Sequence, residues 1–288
     1  MFNSKTPKKD KWAHILLGFF SFLVISLFLF FLGLLVFKGM NSLSLSFFLD
    51  APLKSGRAGG INSILVSTFL LILVCMGASL PIGLGAAIYL AEIDQGTSRM
   101  KKFESFIRLS LNVLAAAPSI VFGLFGNAFF CNYLGMGFSI WSGGLTLACM
   151  VLPLFISCVE EGLRAVPQDY QTAAAALSLS RLTTLRKIIL PIAMPAILAA
   201  FLLCVCRALS ETAALVFTSG YVDRMPSSLS DSGRSLSVHI YDLSMNVVGG
   251  DENAYKSAFV LLIFVLGIST LSNFFAKYVL QLNTKRIL

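Results

Sequence analysis

Long stretches without a charged residue set the first limit on how this chain can fold. The windows lie at residues 12–37, 58–91, 109–159, 188–206 and 257–276. A helix needs roughly 20 residues to cross the hydrocarbon layer of a bilayer, so four of these windows suit one span each. The third window has 51 residues and must fold back on itself, which we expect at the turn-rich segment 132–137.

Six membrane-spanning helices are therefore predicted, because a backbone that faces lipid has no water to bond and must be helical. Their expected positions are 13–37, 63–90, 109–131, 139–160, 190–217 and 256–279. The composition agrees, with 57% hydrophobic and 12% charged residues, whereas soluble domains carry about 25% charged residues. The sequence thus predicts an all-α polytopic membrane protein and excludes a disordered chain, a nucleic-acid-binding domain and a secreted disulfide scaffold.

The basic residues indicate the orientation of the spans. If both termini are cytoplasmic, the cytoplasmic segments hold 15 of the 22 Lys and Arg residues and the outer segments hold 6. Basic residues favour cytoplasmic loops, so we predict that both termini are cytoplasmic. The net charge of +8 then reflects topology and needs no nucleic-acid partner. The first span follows a basic lead without a small-residue cleavage site, so we expect it to remain as an anchor.

Few side chains offer chemistry of their own. The six cysteines lie in or beside predicted spans, where free cysteine behaves as a small apolar residue. His14 and His239 are far apart and lack ligand partners, so no metal site is predicted. The sequence has no phosphate-binding loop of the GxxxxGK[ST] type and no evident nucleophile with a base. We therefore expect neither an enzyme nor a bound cofactor.

The fifth predicted span contains two charged residues, Arg207 and Glu211, with Ser210 and Thr212 beside Glu211. A charge at the bilayer centre costs about 2.5–3.5 kcal/mol, so such residues usually face a bundle interior or a watery path. At positions i and i+4 the two charges share a helix face and can pair. One interpretation is a structural ion pair or a pair that reaches the interface. The other is a substrate path in which Arg207 meets an anion and Glu211 holds or releases the arginine.

The segment between the fourth and fifth predicted spans, residues 160–187, is long for a simple connection. Pro167 can open a helix there, Asp169 suits its first turn, and a run of alanines continues it. A short apolar helix at the membrane face favours a docking site for a partner protein. The alternative is an interfacial helix that lies on lipid.

Five sequence blocks, at residues 59–62, 81–92, 117–126, 163–167 and 207–213, carry a specific order and spacing. In these blocks the chain resembles the permease subunits of binding-protein-dependent ABC importers, specifically phosphate permeases of the PstA type. The resemblance implies a type I ABC importer permease fold in the bacterial inner membrane. It also implies three regions: an N-terminal tail with the first span and outer loop at 1–58, the permease domain at 59–280, and a cytoplasmic tail at 281–288.

That family carries a cytoplasmic loop of the form EAA-x3-G-x9-I-x-LP, which docks in a cleft of the ATPase subunit. The resemblance places the coupling loop at 160–188, and its motif falls on Thr172, Ala173, Ala174, Ser178, Leu190 and Pro191. Two positions depart from the pattern. Thr172 stands where the family has its acidic residue, and Ser178 must make the turn without the freedom of glycine at positive φ.

The resemblance implies that the chain forms the path of an ATP-driven phosphate importer and favours a transport role for Arg207 and Glu211. The implied partners are a second related permease, two cytoplasmic ATPases that use the ATP, and an external phosphate-binding protein that would face residues 219–255. Membrane lipid surrounds the spans. Two alternatives stay open: the same fold serving another oxyanion such as molybdate or sulfate, and a passive channel or membrane scaffold, which predicts no ATPase partner.

Overall fold

The computed structural model describes residues 8–40, 43–92 and 98–287, and this part of the chain is almost entirely helical. Lys5 of the predicted cytoplasmic tail lies outside the described residues. In chain order the elements are α1 (Lys8–Met40), α2 (Leu45–Leu49), the strands β1 (Pro52–Leu53) and β2 (Ala58–Gly59), α3 (Asn62–Glu92), α4 (Ser98–Ala116), α5 (Ser119–Gly126), a π-helical turn (Asn127–Tyr133), α6 (Ile140–Arg164), α7 (Gln168–Ala176), α8 (Arg181–Thr184), a second π-helical turn (Leu185–Ile189), α9 (Leu190–Leu209), α10 (Ala213–Val216), α11 (Leu236–Met245) and α12 (Asp251–Ile287).

Five helical segments in the described part of the chain are long and apolar enough to cross a membrane. They are α1, α3, α6, the helix that runs from α8 into α9, and α12. The sixth span is a pair, α4 and α5, whose axes meet at 98°. The predicted all-α, six-span architecture is therefore confirmed, with one span broken.

The prediction of a single helix over 109–131 is wrong. Pro118 has no N–H to donate and disfavours helical backbone at the residue before it, so α4 ends at Ala116 and α5 begins afresh at Ser119. The expected fold-back at 132–137 is confirmed. Gly135 and Gly137 have φ of 69° and 60°, a conformation that glycine adopts without strain, and they turn the chain into α6.

The predicted fifth span, 190–217, also ends earlier than expected, because α9 stops at Leu209. The Ser210 hydroxyl donates a hydrogen bond of 3.0 Å to the carbonyl of Cys206. A serine that bonds the backbone in this way competes with continuation of the helix. Residues 210–212 are non-helical, and the chain coils again for the four residues of α10.

Helices α3 and α6 form the centre of the bundle. A Cβ on Gly144 would lie 2.5 Å from the side chain of Val74, so the glycine lets the two helices approach closely. Leu71, Val151 and Phe155 fill their contact and are fully buried. Helix α9 packs on this pair, and α12 packs on the outside of α9. Helix α1 is almost wholly exposed and packs on α12 mainly through its last turns, as an apolar helix facing lipid would.

Residues 219–250 and the hairpin β1–β2 form a cap on the end of the bundle where α3 and α12 begin. The cap contains the helix α11, whose Leu236, Val238 and Leu243 are fully buried. The backbone N–H of Leu236 donates to the hydroxyl of Thr68 in α3 at 2.9 Å. The cap is therefore fastened to the central helices.

Candidate coupling loop and translocation path

Helix α7 provides the body of the predicted coupling loop, and it ends in a turn built around Ser178. The N–H of Leu179 donates to the carbonyl of Ala174 at 3.1 Å, and the N–H of Ser178 donates to that of Ala175 at 2.9 Å. These two bonds are the Schellman pattern that terminates helices. It requires a left-handed residue, and Ser178 has φ of 55°. Serine thus makes the turn for which the family pattern has glycine, at a cost in backbone strain.

The two sides of α7 differ. Ala174 is 2% exposed and packs the helix onto the rest of the protein, whereas Thr172 and Ala173 are exposed. The hydroxyl of Thr172 is used within the helix, because it donates to the carbonyls of Gln168 and Asp169 at 3.1 and 3.0 Å. The exposed side of α7 is therefore a small, largely uncharged surface.

From Arg181 onward the chain is helical without a break into α9. Ser180 caps α8 by accepting a bond from the N–H of Thr183 at 3.3 Å, and the π-helical turn Leu185–Ile189 joins α8 to α9. Leu190 is half-buried and Pro191 is exposed at the start of α9. Since Pro191 cannot donate to the carbonyl one turn earlier, the wide π turn stands where regular α-helical bonding is interrupted.

A cleft of about 730 Å³ opens beside α7. Its walls come from the ends of α3 and α6, from α7 and from the α8–α9 junction. Residues that line it include Ile88, Arg164, Gln168, Thr172, Leu179 and Leu185. The cleft gives the coupling loop a second, concave side.

Four charged residues next to this cleft form a closed network that the sequence analysis missed. Within α4, Glu104 accepts from Arg108 at 2.8 Å, and within α6, Glu160 accepts from Arg164 at 2.8 Å. Between the helices, Arg108 donates to Glu160 at 3.0 Å and Arg164 donates to Glu104 at 3.3 Å. Arg164 also donates to the carbonyl of Leu90 near the end of α3, at 3.2 Å. We call Glu104, Arg108, Glu160 and Arg164 the four-charge cluster. Glutamate four residues before arginine, once in each helix, was the available signal.

The four predicted path residues lie at the break after α9. Arg207 is exposed and belongs to the last turn of α9, while Glu211 lies beyond the helix end and is only 8% exposed. Ser210 is exposed and Thr212 is half-buried. The expected i, i+4 pairing of the two charges is wrong, because the helix ends between them and no ion pair joins them among the described residues. An Oε1 atom of Glu211 instead lies 3.4 Å from the N–H of Ala214, at the start of α10.

The two broken spans meet at this point. A Cβ on Gly123 of α5 would lie 2.9 Å from the Cα of Ala214, so α5 and α10 are in backbone contact there. The Nδ2 of Asn127 donates to the carbonyl of Phe217 at 2.7 Å. Interrupted helices of this kind leave backbone groups that only neighbouring protein or water can satisfy.

A second buried network holds the cap together. Arg234 forms an ion pair of 3.1 Å with Asp242 and donates to the carbonyl of Tyr221 at 2.8 Å. His239 is fully buried beside them, and its Nε2 has no hydrogen-bond partner among the described residues. Burial, followed by the charge of Arg234, lowers the pKa of His239 to about 4. The tip of the hairpin β1–β2 packs on this ring, where a Cβ on Gly56 would lie 2.5 Å from Cε1.

Residues 79–284 match the family described as "Binding-protein-dependent transport system inner membrane component". The chain belongs to this family. The chain is 30% identical over 269 residues to the "Probable ABC transporter permease protein YqgI" of Bacillus subtilis, and the match covers 88% of this chain and 86% of that protein. It is 30% identical over 262 residues to the "Phosphate transport system permease protein PstA" of Pasteurella multocida, covering 89% and 90%.

A solved structure shares the fold of the permease. It is titled "Inward facing conformations of the MetNI methionine ABC transporter", with a TM-score of 0.59 and 18% identity over 76% of this chain and 94% of that chain. The family resemblance and the type I importer fold that the five sequence blocks indicate are thereby confirmed. The chain is a multi-pass membrane protein of the permease class.

Proposed function

We propose that this chain is a permease subunit of an ATP-driven importer of inorganic phosphate. The observation that carries the proposal is the 30% identity with a protein named as a phosphate transport permease, over about nine-tenths of both chains. Such coverage includes the broken spans α4–α5 and α9–α10 as well as the loop around α7. The substrate class follows from this likeness.

The proposed transporter contains a second related permease, two ATPase subunits that consume the ATP, and an external phosphate-binding protein. The family description, a binding-protein-dependent transport system, supports the binding protein. The exposed side of α7 supports docking of an ATPase, because a helix that ends in a strained turn at Ser178 and presents small side chains suits a protein surface. The exposed apolar surface of α1 contacts lipid. The ATPase subunits bind the ATP.

We place both termini and α7 in the cytoplasm, with the cap outside. The distribution of Lys and Arg supports this orientation. The cap then lies where the external binding protein would deliver its ligand.

Arg207 and the 210–212 break are proposed as part of the anion path. Arg207 is exposed in an apolar helix and has no ion pair among the described residues, so its guanidinium fork is available to an oxyanion. Glu211 is proposed to organise the break, since its carboxylate lies at the start of α10 and its carbonyl accepts a bond from the Ser237 hydroxyl of the cap.

The decisive experiment is uptake of labelled phosphate into proteoliposomes that hold the complete transporter, with external binding protein and internal ATP. We expect ATP-dependent uptake that excess unlabelled phosphate abolishes and equal concentrations of sulfate or molybdate leave nearly unchanged. Uptake that sulfate or molybdate suppresses, and phosphate does not, would assign the permease to another oxyanion. Uptake without ATP would indicate a passive channel.

A further inference from the structure

We propose that the four-charge cluster is a mechanical link that carries the displacement of α7 to α4 and α5, and through them to the segment after Glu211. This link would act beside the continuous chain that runs from α7 through α8 into α9. It rests on the proposed function in one respect, namely that an ATPase partner moves α7.

The geometry of the cluster fastens two helices together. Glu104 lies opposite Arg164, and Arg108 lies opposite Glu160, so the two helices run antiparallel and each arginine bridges both carboxylates. The side chains of Glu104 and Glu160 are 11% and 5% exposed. Moving α4 away from α6 would leave two buried carboxylates without their partners on the facing helix, which is a costly state. The two helices therefore move as one unit.

The cluster lies directly at the base of α7. Arg164 is the last residue of α6, and α7 begins after Pro167. The intervening residues are held in place, because the N–H of Ala165 donates to the backbone carbonyl of Glu161 at 2.9 Å and Val166 is 7% exposed. A displacement of α7 is therefore transmitted to Arg164, because the residues that connect them are fixed.

The far end of this route is the break in the fifth span. Helix α4 continues from the cluster to the Pro118 elbow, where Ala117 donates to Leu114 at 3.2 Å and Val121 donates to Pro118 at 3.0 Å. Beyond the elbow, α5 is in backbone contact with α10. The segment around Glu211 is therefore reached from two sides: from α9, which is continuous with the coupling loop, and from α5, which the cluster ties to α6.

Two charge swaps that leave the composition of the protein unchanged test the link. In the within-helix swap, Glu104→Arg with Arg108→Glu, the pair inside α4 is kept but both contacts between helices become like-charged. In the between-helix swap, Arg108→Glu with Glu160→Arg, both contacts between helices are kept and the pairs within helices become like-charged. If the link between helices matters, only the within-helix swap is harmful.

The measurement uses the complete transporter in nanodiscs, with encoded spin labels at the exposed residues Leu124 of α5 and Phe69 of α3. We expect ATP to change the label distance in the native protein and in the between-helix swap, and to change it little in the within-helix swap. Uptake per ATP hydrolysed should fall about tenfold in the within-helix swap, a typical size for an energetic coupling. Lys102→Gln, which removes an exposed charge of α4 outside the cluster, should behave as the native protein.

If a swapped variant fails to assemble, the same two measurements are made on Glu160→Gln, which keeps the shape of the side chain and removes its charge. Normal label movement and normal uptake per ATP in the within-helix swap, or in Glu160→Gln when that variant decides, would overturn the link. Native labels that do not respond to ATP would also overturn it. Because the label distance does not depend on which anion is carried, failure of phosphate uptake alone would reject the proposed substrate and leave the link standing.

Discussion

The coupling region, residues 160–190 with the four-charge cluster, and the cap both hold ion pairs away from water, but they do so to different degrees. In the coupling region Arg108 and Arg164 keep 37% and 33% of their side chains exposed. In the cap Arg234 is 6% exposed, and the histidine beside it is fully buried. The cap network is enclosed by the protein, whereas the cluster has one side open to the solvent.

This difference separates two uses of charge. A fully enclosed pair such as Arg234–Asp242 fixes one arrangement, because any displacement leaves a buried charge unpaired. A cluster whose arginines reach water can shift as a body, since water solvates the guanidiniums while the carboxylates remain paired. We therefore expect substitutions in the cap to change stability, and substitutions in the coupling region and path to change transport.

The largest effect is expected from Arg234→Met, which leaves Asp242 buried without its cation. Loss of one partner of a buried pair costs about 3–5 kcal/mol, so the unfolding temperature in detergent should drop markedly. The matched control is Glu252→Gln, which weakens the pair with Lys256: Glu252 is 69% exposed, and the largely buried Lys256 keeps its bond to the side-chain oxygen of Asn253. That change should cost less than about 1 kcal/mol. Equal losses of stability in the two variants would contradict the distinction between the enclosed pair and the exposed pair.

Acid should destabilise the cap through His239. Because burial lowers the pKa of the folded state from 6.5 to about 4, the unfolded chain binds the proton first as the pH falls. This contribution to stability is complete above pH 6.5 and is lost progressively down to about pH 4. The loss should be about 3 kcal/mol. In His239→Gln, unfolding curves across this range should lose that dependence, and an unchanged pH profile would show that another group is responsible.

Arg207→Ala should lower transport strongly without affecting assembly, in contrast with the cap variants. A charge-assisted bond to an anion is worth about 1.5–3 kcal/mol, so uptake should fall roughly a hundredfold. Leu203→Ala, one turn earlier and also exposed, is the control and should transport nearly normally. Normal uptake by Arg207→Ala would exclude it from the path.

Neighbouring alanines of α7 should respond differently to the same change. Ala173→Asp puts a charge on the exposed side, and we expect it to weaken ATPase binding about tenfold while the permease alone keeps its stability. Ala174→Asp puts the charge on the buried side and should destabilise the permease itself. Co-purification with the ATPase and unfolding of the isolated permease separate the two effects. Full ATPase binding by Ala173→Asp would argue against docking on this side.

The smallest effect is expected at the turn of the coupling loop. Ser178→Gly removes the strain of a left-handed serine and should stabilise the permease by about 1 kcal/mol. Ser180→Gly, two residues later, removes the cap of α8 and should instead destabilise it by a few tenths of a kcal/mol. Thermal unfolding shows whether each variant is more or less stable than the native permease. A loss of stability in Ser178→Gly would mean that the serine side chain has another role.

The spans were predictable from the sequence because membrane solvation acts on average hydrophobicity, which a charge-free window reports. What the windows do not report is where a helix breaks. Pro118 and Ser210 both lie inside or beside apolar stretches, yet the chain bends at one and uncoils at the other. Prolines 153 and 195, by contrast, lie inside continuous helices. The neighbours that satisfy the freed backbone groups decide between these outcomes.

The candidate site was predictable in part. The helix of the coupling loop and its turn at Ser178 follow from local sequence, since caps and turns depend on a few adjacent residues. The pairing of Arg207 with Glu211 failed because it assumed an uninterrupted helix. The four-charge cluster as a whole was not predictable, because it depends on which helices face each other and the positions of Arg108 and Arg164 along the chain do not report this.

The elbow at Pro118 has a consequence for biosynthesis. Helix α5 and the π-helical turn that continues it span only Ser119–Tyr133, a length of roughly 20 Å, which is too short to cross a bilayer unaided. Part of its buried face rests on residues that leave the ribosome much later, because Gly123 packs against Ala214, whereas Gly126 packs against Thr146 of the next span. The spans of this region therefore cannot complete their insertion one after another in the order of synthesis. The face of α5 around Gly123 stays without its packing partner until about ninety further residues have entered the membrane.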